Sequence, residues 1–167
     1  IGRAFLKNLV ATEIKQGGST ITQQVAKTFL LTRERTIMRK IKEVILAHEI
    51  EKTFTKDYIM FLYLNQIYLG HGAYGIEAAS RNYFGKGAKD LNLAEAAMLA
   101  GLPRAPGKYS PHLNMKAAKA RQKYVLERMA DEKYIEKEEA EIAIETPIIL
   151  ADKTQPVSKY AEYFVEY

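Results

Sequence analysis

The sequence predicts a mainly α domain, on three observations. Alternating β-branched residues bounded by turns, the mark of strands, are scarce until Ile148-Ile149-Leu150. Apolar residues recur at helical spacing, as in Ile37, Ile41, Val44 and Ile45. Thr20-Ile21-Thr22-Gln23 and Asn92-Leu93-Ala94-Glu95 both carry the capping-box pattern, in which the first side chain closes one orphan amide and the fourth reaches back to another.

The elements follow in order. A first helix is expected over residues 4–15, stopped by Gln16-Gly17-Gly18, and a second begins near Thr20. A third spans residues 34–52. A fourth, over 56–67, is apolar on nearly every side and is expected to be buried all round. The loop Leu69-Gly70-His71-Gly72-Ala73-Tyr74-Gly75 leads into a short helix ending at Phe84. Asn92 opens a small-residue helix that Gly101 and Pro103 terminate. Pro103, Pro106 and Pro111 mark an ordered loop, followed by charged helices over 116–131 and 136–145, broken at Pro147.

Composition narrows the function classes. With 167 residues, 47% of them apolar and 27% charged, the chain is long and apolar enough for one domain with a real core rather than a disordered segment. A net charge of +5 suits phosphates, anionic lipid headgroups or nucleic acid alike. The absence of cysteine removes disulfides, cysteine zinc sites and thiol nucleophiles. No uncharged apolar run approaches the length of a membrane span, and the first residues do not resemble a signal peptide; if the domain works at a membrane, its anchor is expected outside this stretch.

The third helix raises the first question of chemistry. Ile37, Ile41, Val44, Ile45 and His48 form one apolar face, while Arg35, Arg39 and Glu43 stack along the opposite side. Leu46 and Ile50 continue that second stripe as apolar residues, so the far half of the helix is expected to be buried on both sides. Glu43 then sits where a basic stripe meets a core, a setting for acid–base or phosphate chemistry. The ordinary alternative is an exposed Arg39–Glu43 pair worth roughly 0.3–0.5 kcal/mol.

The opening of the second helix raises the next. A helix N-terminus presents free amides to anions, Gly17 and Gly18 let a ligand approach the backbone, and Lys27 lies one turn beyond Gln23. The alternative is a well-capped helix without a ligand. Gly70-His71-Gly72-Ala73-Tyr74-Gly75 satisfies G-x-G-x-x-G but lacks a βαβ context, and its glycines are read as shaping a loop around Asn65 and Tyr68. His48-Glu49 fails the zinc-protease pattern because Lys52 stands four residues after His48, and His71 and His112 have no partner at ligand spacing. The basic helix lacks interleaved aromatics, so no nucleic-acid partner is expected.

GGSTITQQVAK, then RKIKE, then YLNQIYLGHGAYGIEAASRNYFGK, in this order and spacing, resemble the peptidoglycan glycosyltransferase domain of class A penicillin-binding proteins, which also occurs alone in monofunctional transglycosylases. The resemblance covers residues 1–147, and residues 148–167 resemble the segment leading toward a transpeptidase domain. It implies a lysozyme-like helical fold with a cleft. It also implies polymerisation of lipid II by inverting transfer from a polyprenyl-pyrophosphate-linked glycan to the 4-hydroxyl of the incoming lipid II. The setting is the outer face of the bacterial cytoplasmic membrane, and moenomycin-type inhibitors bind the family.

By the same resemblance, Ser19, Thr20, Gln23, Gln24 and Lys27 line the sugar–phosphate cleft, and Arg35, Arg39 and Lys40 hold the pyrophosphate. Glu43 is the family's second acidic residue, which either orients the cations or handles a proton. Gly18, Asn65, Tyr68, Gly70 and Gly75 belong to motifs that support the cleft. No cofactor is required, though a divalent cation, Mg or Mn, assists the pyrophosphate in many members. Phe5, Leu6, Leu9 and Val10 fall in the membrane-facing part of the domain. The family's first motif, a Glu-Asp pair followed by an aromatic, a His and a Gly, is expected just before Ile1, and its Glu is the general base. The 167 residues by themselves are therefore expected to bind donor-site ligands weakly and turn over poorly. Two other readings stand beside this one: a non-catalytic helical module that docks on membranes or partners, and a lysozyme-like hydrolase, which needs two carboxylates where one good candidate is present.

Overall fold

Thr20 Oγ1 accepts from the Gln23 N–H at 3.2 Å while Gln23 Oε1 accepts from the Thr20 N–H at 3.2 Å. This reciprocal pair starts helix α1 (Ile21–Leu30), as the capping-box pattern predicts. The computed structural model describes residues 19–30 and 36–152. The helix predicted over 4–15, Gly17 and Gly18, the apolar residues Phe5, Leu6, Leu9 and Val10, and Arg35 lie outside them. The described residues are mainly helical: α2 (Ile37–Thr53), α3 (Lys56–Gln66), α4 (Ile76–Phe84), α5 (Leu93–Gly101), α6 (Pro106–Tyr109), α7 (Met115–Asp131) and α8 (Lys137–Glu145) follow α1. Among them there is one isolated antiparallel bridge, Tyr68 with Tyr74, and no strand; Ile148-Ile149-Leu150 takes no regular structure. No helix of the described residues is long and apolar enough to cross a membrane.

The chain divides into two compact units at Gln66. In the first, α1 packs against both α2 and α3. Thr36 caps α2 by accepting from the Arg39 N–H at 3.0 Å, so the helix starts later than the predicted residue 34. Burial on α2 corrects the expectation of two buried sides. Glu43 and Ala47 are buried with Leu46 and Ile50 half-buried, whereas Ile37, Met38, Ile41, Val44 and Ile45 are exposed. The buried side of α1 consists of Thr22, Gln23, Val25 and Ala26. Against that small and partly polar surface, α2 presents its carboxylate and an alanine rather than its large apolar stripe. Helix α3 also departs from expectation: Ile59 alone is buried, and Tyr58, Met60, Phe61 and Leu64 are exposed. Among the described residues, α3 packs against α1 and α2 alone in this unit.

The second unit holds two clusters around α5. Leu69, Ala73, Ala79, Tyr83, Leu99 and Leu102 form one, and Ala94, Ala97, Leu126, Ala140 and Ala143 the other. The capping box at Asn92–Glu95 forms as predicted. The alanines let α7 and α8 approach α5 closely, and Gln122 Nε2 donates to the Ala94 carbonyl at 2.6 Å in that contact. The helices predicted over 116–131 and 136–145 appear one residue displaced at their starts, with Asn114 and Glu136 as caps.

The glycine loop is a closed turn rather than a phosphate cradle. The Leu69 N–H donates to the Ala73 carbonyl and the Gly75 N–H to the Ile67 carbonyl, both at 2.9 Å. Gly70 takes φ +91°, and a Cβ there would stand 2.7 Å from the Tyr83 hydroxyl, which donates to the Leu69 carbonyl at 2.9 Å. Gly72 also has positive φ, +74°, but a Cβ there meets nothing within 4 Å. Gly70→Ala is therefore expected to cost about 2–4 kcal/mol and Gly72→Ala about 1 kcal/mol in denaturant unfolding. Equal costs at the two positions would contradict the close approach at Gly70.

Candidate functional site

The capping box at the start of α1 fixes more than a helix end. With Gln23 Oε1 turned back toward Thr20, Ser19 and Gln23 face the buried side of α2. On α2, Arg39, Lys40 and Glu43 are spaced so that both cations reach one carboxylate. Arg39 Nη1 donates to Glu43 Oε2 at 2.9 Å and Lys40 Nζ to Glu43 Oε1 at 2.6 Å. Lys40 Nζ also donates to Ser19 Oγ at 2.7 Å and approaches Gln23 Oε1 at 3.5 Å, and Ser19 Oγ stands 3.4 Å from Glu43 Oε1.

The Glu43 side chain is 2% exposed, Arg39 17% and Lys40 46%. Such burial rules out the ordinary surface pair. A carboxylate this deep is tolerated because each oxygen accepts from a cation. The three charged groups sum to one excess positive charge, and a polar rim of Ser19 and Gln23 adjoins them. Chemically, the arrangement can receive an anion at the ammonium and hydroxyl while the guanidinium stays with the carboxylate. Elsewhere in the first unit, a groove of about 550 Å³ is lined by Ile21, Thr22, Glu51, Phe54, Lys56, Ile59 and Met60.

The structure thus brings Ser19, Thr20, Gln23, Arg39, Lys40 and Glu43 together. It does not join Gln24 or Lys27 to them: both are exposed, and among the described residues no hydrogen bond or ion pair links either side chain to the cluster. Arg35 and Gly18 lie outside the described residues. Asn65 is exposed at the end of α3, where its Nδ2 donates to the Phe61 carbonyl at 2.8 Å. In the second unit Tyr68 lies against Tyr74 with ring centroids 4.9 Å apart, and Gly75, at φ +81°, precedes α4.

One arrangement in the second unit escaped the sequence. His71 Nε2 lies 2.8 Å from Ser110 Oγ, and the His71 and His112 rings stand with centroids 5.0 Å apart against Tyr83. Burial pushes the Tyr83 phenol above its usual value, with the Ser110 hydroxyl pulling the other way. No local spacing signals this group, because the loop, α4 and the segment after α6 bring it together. Among the described residues no three His, Cys, Asp or Glu side chains form a metal-holding group.

Removing either cation should separate their roles. Arg39→Gln is expected to cost about 1–3 kcal/mol in urea unfolding, since it strips a buried carboxylate oxygen of its partner. Lys40→Gln should cost less than about 1 kcal/mol, because nearly half of that side chain faces solvent. The reverse order would contradict the burial described above.

Comparisons with known proteins bear on the whole chain. A family model described as Transglycosylase matches residues 1–130. The chain is 53% identical over 166 residues to penicillin-binding protein 1A of Aquifex aeolicus (strain VF5), covering 99% of this chain and 23% of that protein. It is 48% identical over 164 residues to penicillin-binding protein 1A of Pseudomonas aeruginosa, covering 98% of this chain and 20% of that one. It is also similar to the crystal structure of penicillin-binding protein 1A from Haemophilus influenzae, with a TM-score of 0.52 and 37% identity over 78% of this chain and 17% of that one. The chain thus spans less than a quarter of the length of these relatives.

Proposed function

The chain belongs to the transglycosylase family, and from that premise we propose that it polymerises lipid II into glycan strands, with Lys40, Ser19 and Gln23 receiving the diphosphate of the lipid-linked donor. The observation that carries this reading is the buried Glu43 carboxylate, both of whose oxygens are taken by cations, one of which, Lys40, reaches on to the Ser19 hydroxyl and the Gln23 amide oxygen. Negative charge grows on a diphosphate leaving group as its glycosidic bond breaks. An ammonium and a hydroxyl held on that diphosphate while the charge grows lower the barrier. Arg39 stays paired with Glu43 on the same helix.

In this scheme the attacking 4-hydroxyl comes from the opposite face, and its proton goes to the Glu of the family's first motif, supplied upstream in the longer protein. A divalent ion, where used, rides on the diphosphate. No step here is routed through a metal. The reaction belongs to the outer face of the cytoplasmic membrane, in a protein that continues into a transpeptidase domain. Moenomycin-type inhibitors, by this reading, compete for the same cations.

The test uses a protein in which this sequence is continued upstream through the Glu-Asp motif. Labelled lipid II should be converted to glycan strands, and Lys40→Gln should lower that rate by about a hundredfold or more. Unchanged polymerisation in the Lys40→Gln protein would remove the cluster from the reaction. Short products released from preformed glycan would replace polymerisation with hydrolysis.

A further inference from the structure

A pocket built only to hold a diphosphate has no use for a carboxylate. Glu43 cancels one of the two positive charges that Arg39 and Lys40 bring, and it does so from almost complete burial. It also takes the ammonium that Ser19 shares: Lys40 Nζ is 2.6 Å from Glu43 Oε1 and 2.7 Å from Ser19 Oγ. The two cations are not equivalent. Arg39 is 17% exposed and pairs with Glu43 Oε2, and its Nε is buried without a hydrogen-bond partner in the described structure. Lys40 is 46% exposed, on a flexible stem, with its ammonium between the carboxylate and the open side.

We infer that Glu43 is an internal competitor for the anion. Its carboxylate holds Lys40 and Ser19 between turnovers, yields them to the arriving diphosphate, and takes them back as the leaving diphosphate departs. Arg39 stays with Glu43 throughout. The inference rests on the reading of this cluster as the diphosphate site. It gives the acid a purpose: a displaceable counter-ion loosens the hold on the diphosphate, the leaving one included, without removing any donor. Glu43 acts through Lys40, so it is a positioning residue here.

Inorganic pyrophosphate is the probe, titrated by calorimetry into the 167-residue chain at fixed low ionic strength. Glu43→Gln should bind it about two- to fivefold tighter than the wild type, the range expected for losing one competing ion pair. Glu43→Asp, which withdraws the carboxylate by one methylene, should also bind tighter, by a smaller factor, and Lys40→Gln should bind more weakly. A carboxylate that merely aligns the cations gives the opposite sign: Glu43→Gln would then bind pyrophosphate less well, and that result overturns the inference. Should Glu43→Gln lose its far-ultraviolet helical signal, Glu43→Asp decides, and unchanged or weaker binding overturns it. No binding to the wild type, or equal binding to Lys40→Gln, defeats the diphosphate reading and the inference together. Normal behaviour of those two proteins, without tightening in the Glu43 variants, defeats the inference alone.

Discussion

A carboxylate buried between two helices governs the first unit. Glu43 cannot sit among Val25, Ala26 and Ala47 as a charge without compensation, and Arg39 and Lys40 supply it from the preceding turn of the same helix. That requirement sets the rotation of α2. Once Glu43 points inward, Ile37, Ile41, Val44 and Ile45 must point outward, since they lie on the opposite side of the same helix. The rotation also brings Lys40 over the start of α1, where the capping box has already turned Ser19 and Gln23 toward it. One electrostatic constraint therefore links a helix cap, a helix rotation and a cationic rim.

The second unit follows a different logic, in which close backbone approach matters more than charge. Tyr83 is fully buried, its hydroxyl donates to the Leu69 carbonyl, and Gly70 leaves the space that this hydroxyl needs. Glu77 adds a local clasp. It accepts from the Ala88 N–H at 2.8 Å and from Arg81 Nε at 2.7 Å, and these contacts, the backbone one foremost, hold its carboxyl below the usual carboxylate range. The stability this contributes is present above the carboxyl's unfolded value and fades as pH falls through the lowered one.

Much of this was legible from residues alone, for reasons that differ by element. Capping boxes are local chemistry, so Thr20–Gln23 and Asn92–Glu95 could be read directly and both form. The spacing of Arg39 and Glu43 allowed a pair, and the apolar continuation at Leu46 and Ile50 left a buried and an exposed pair both open until burial decided between them. Periodicity could not say which of two stripes on α2 faces inward. An apolar stripe is normally the buried one, and here the stripe of Glu43 is, against an α1 surface that is small and partly polar. The same limit applies to α3, whose composition suggests burial on all sides while only Ile59 of it is buried. The His71, Ser110 and His112 grouping depends wholly on tertiary folding and left no local trace. Of the residues that family resemblance assigns to the cleft, Gln24 and Lys27 share a helix with the cluster without contacting it.

The central claim is that Ser19 and Lys40 form the anion-receiving side of a cluster whose closed side is Arg39 and Glu43. Crystals of this chain soaked with inorganic pyrophosphate test it most directly. The account predicts phosphate oxygens within hydrogen-bond distance of Ser19 Oγ and Lys40 Nζ, with Arg39 still paired to Glu43. Pyrophosphate bound elsewhere, with Lys40 still on Glu43, would contradict it.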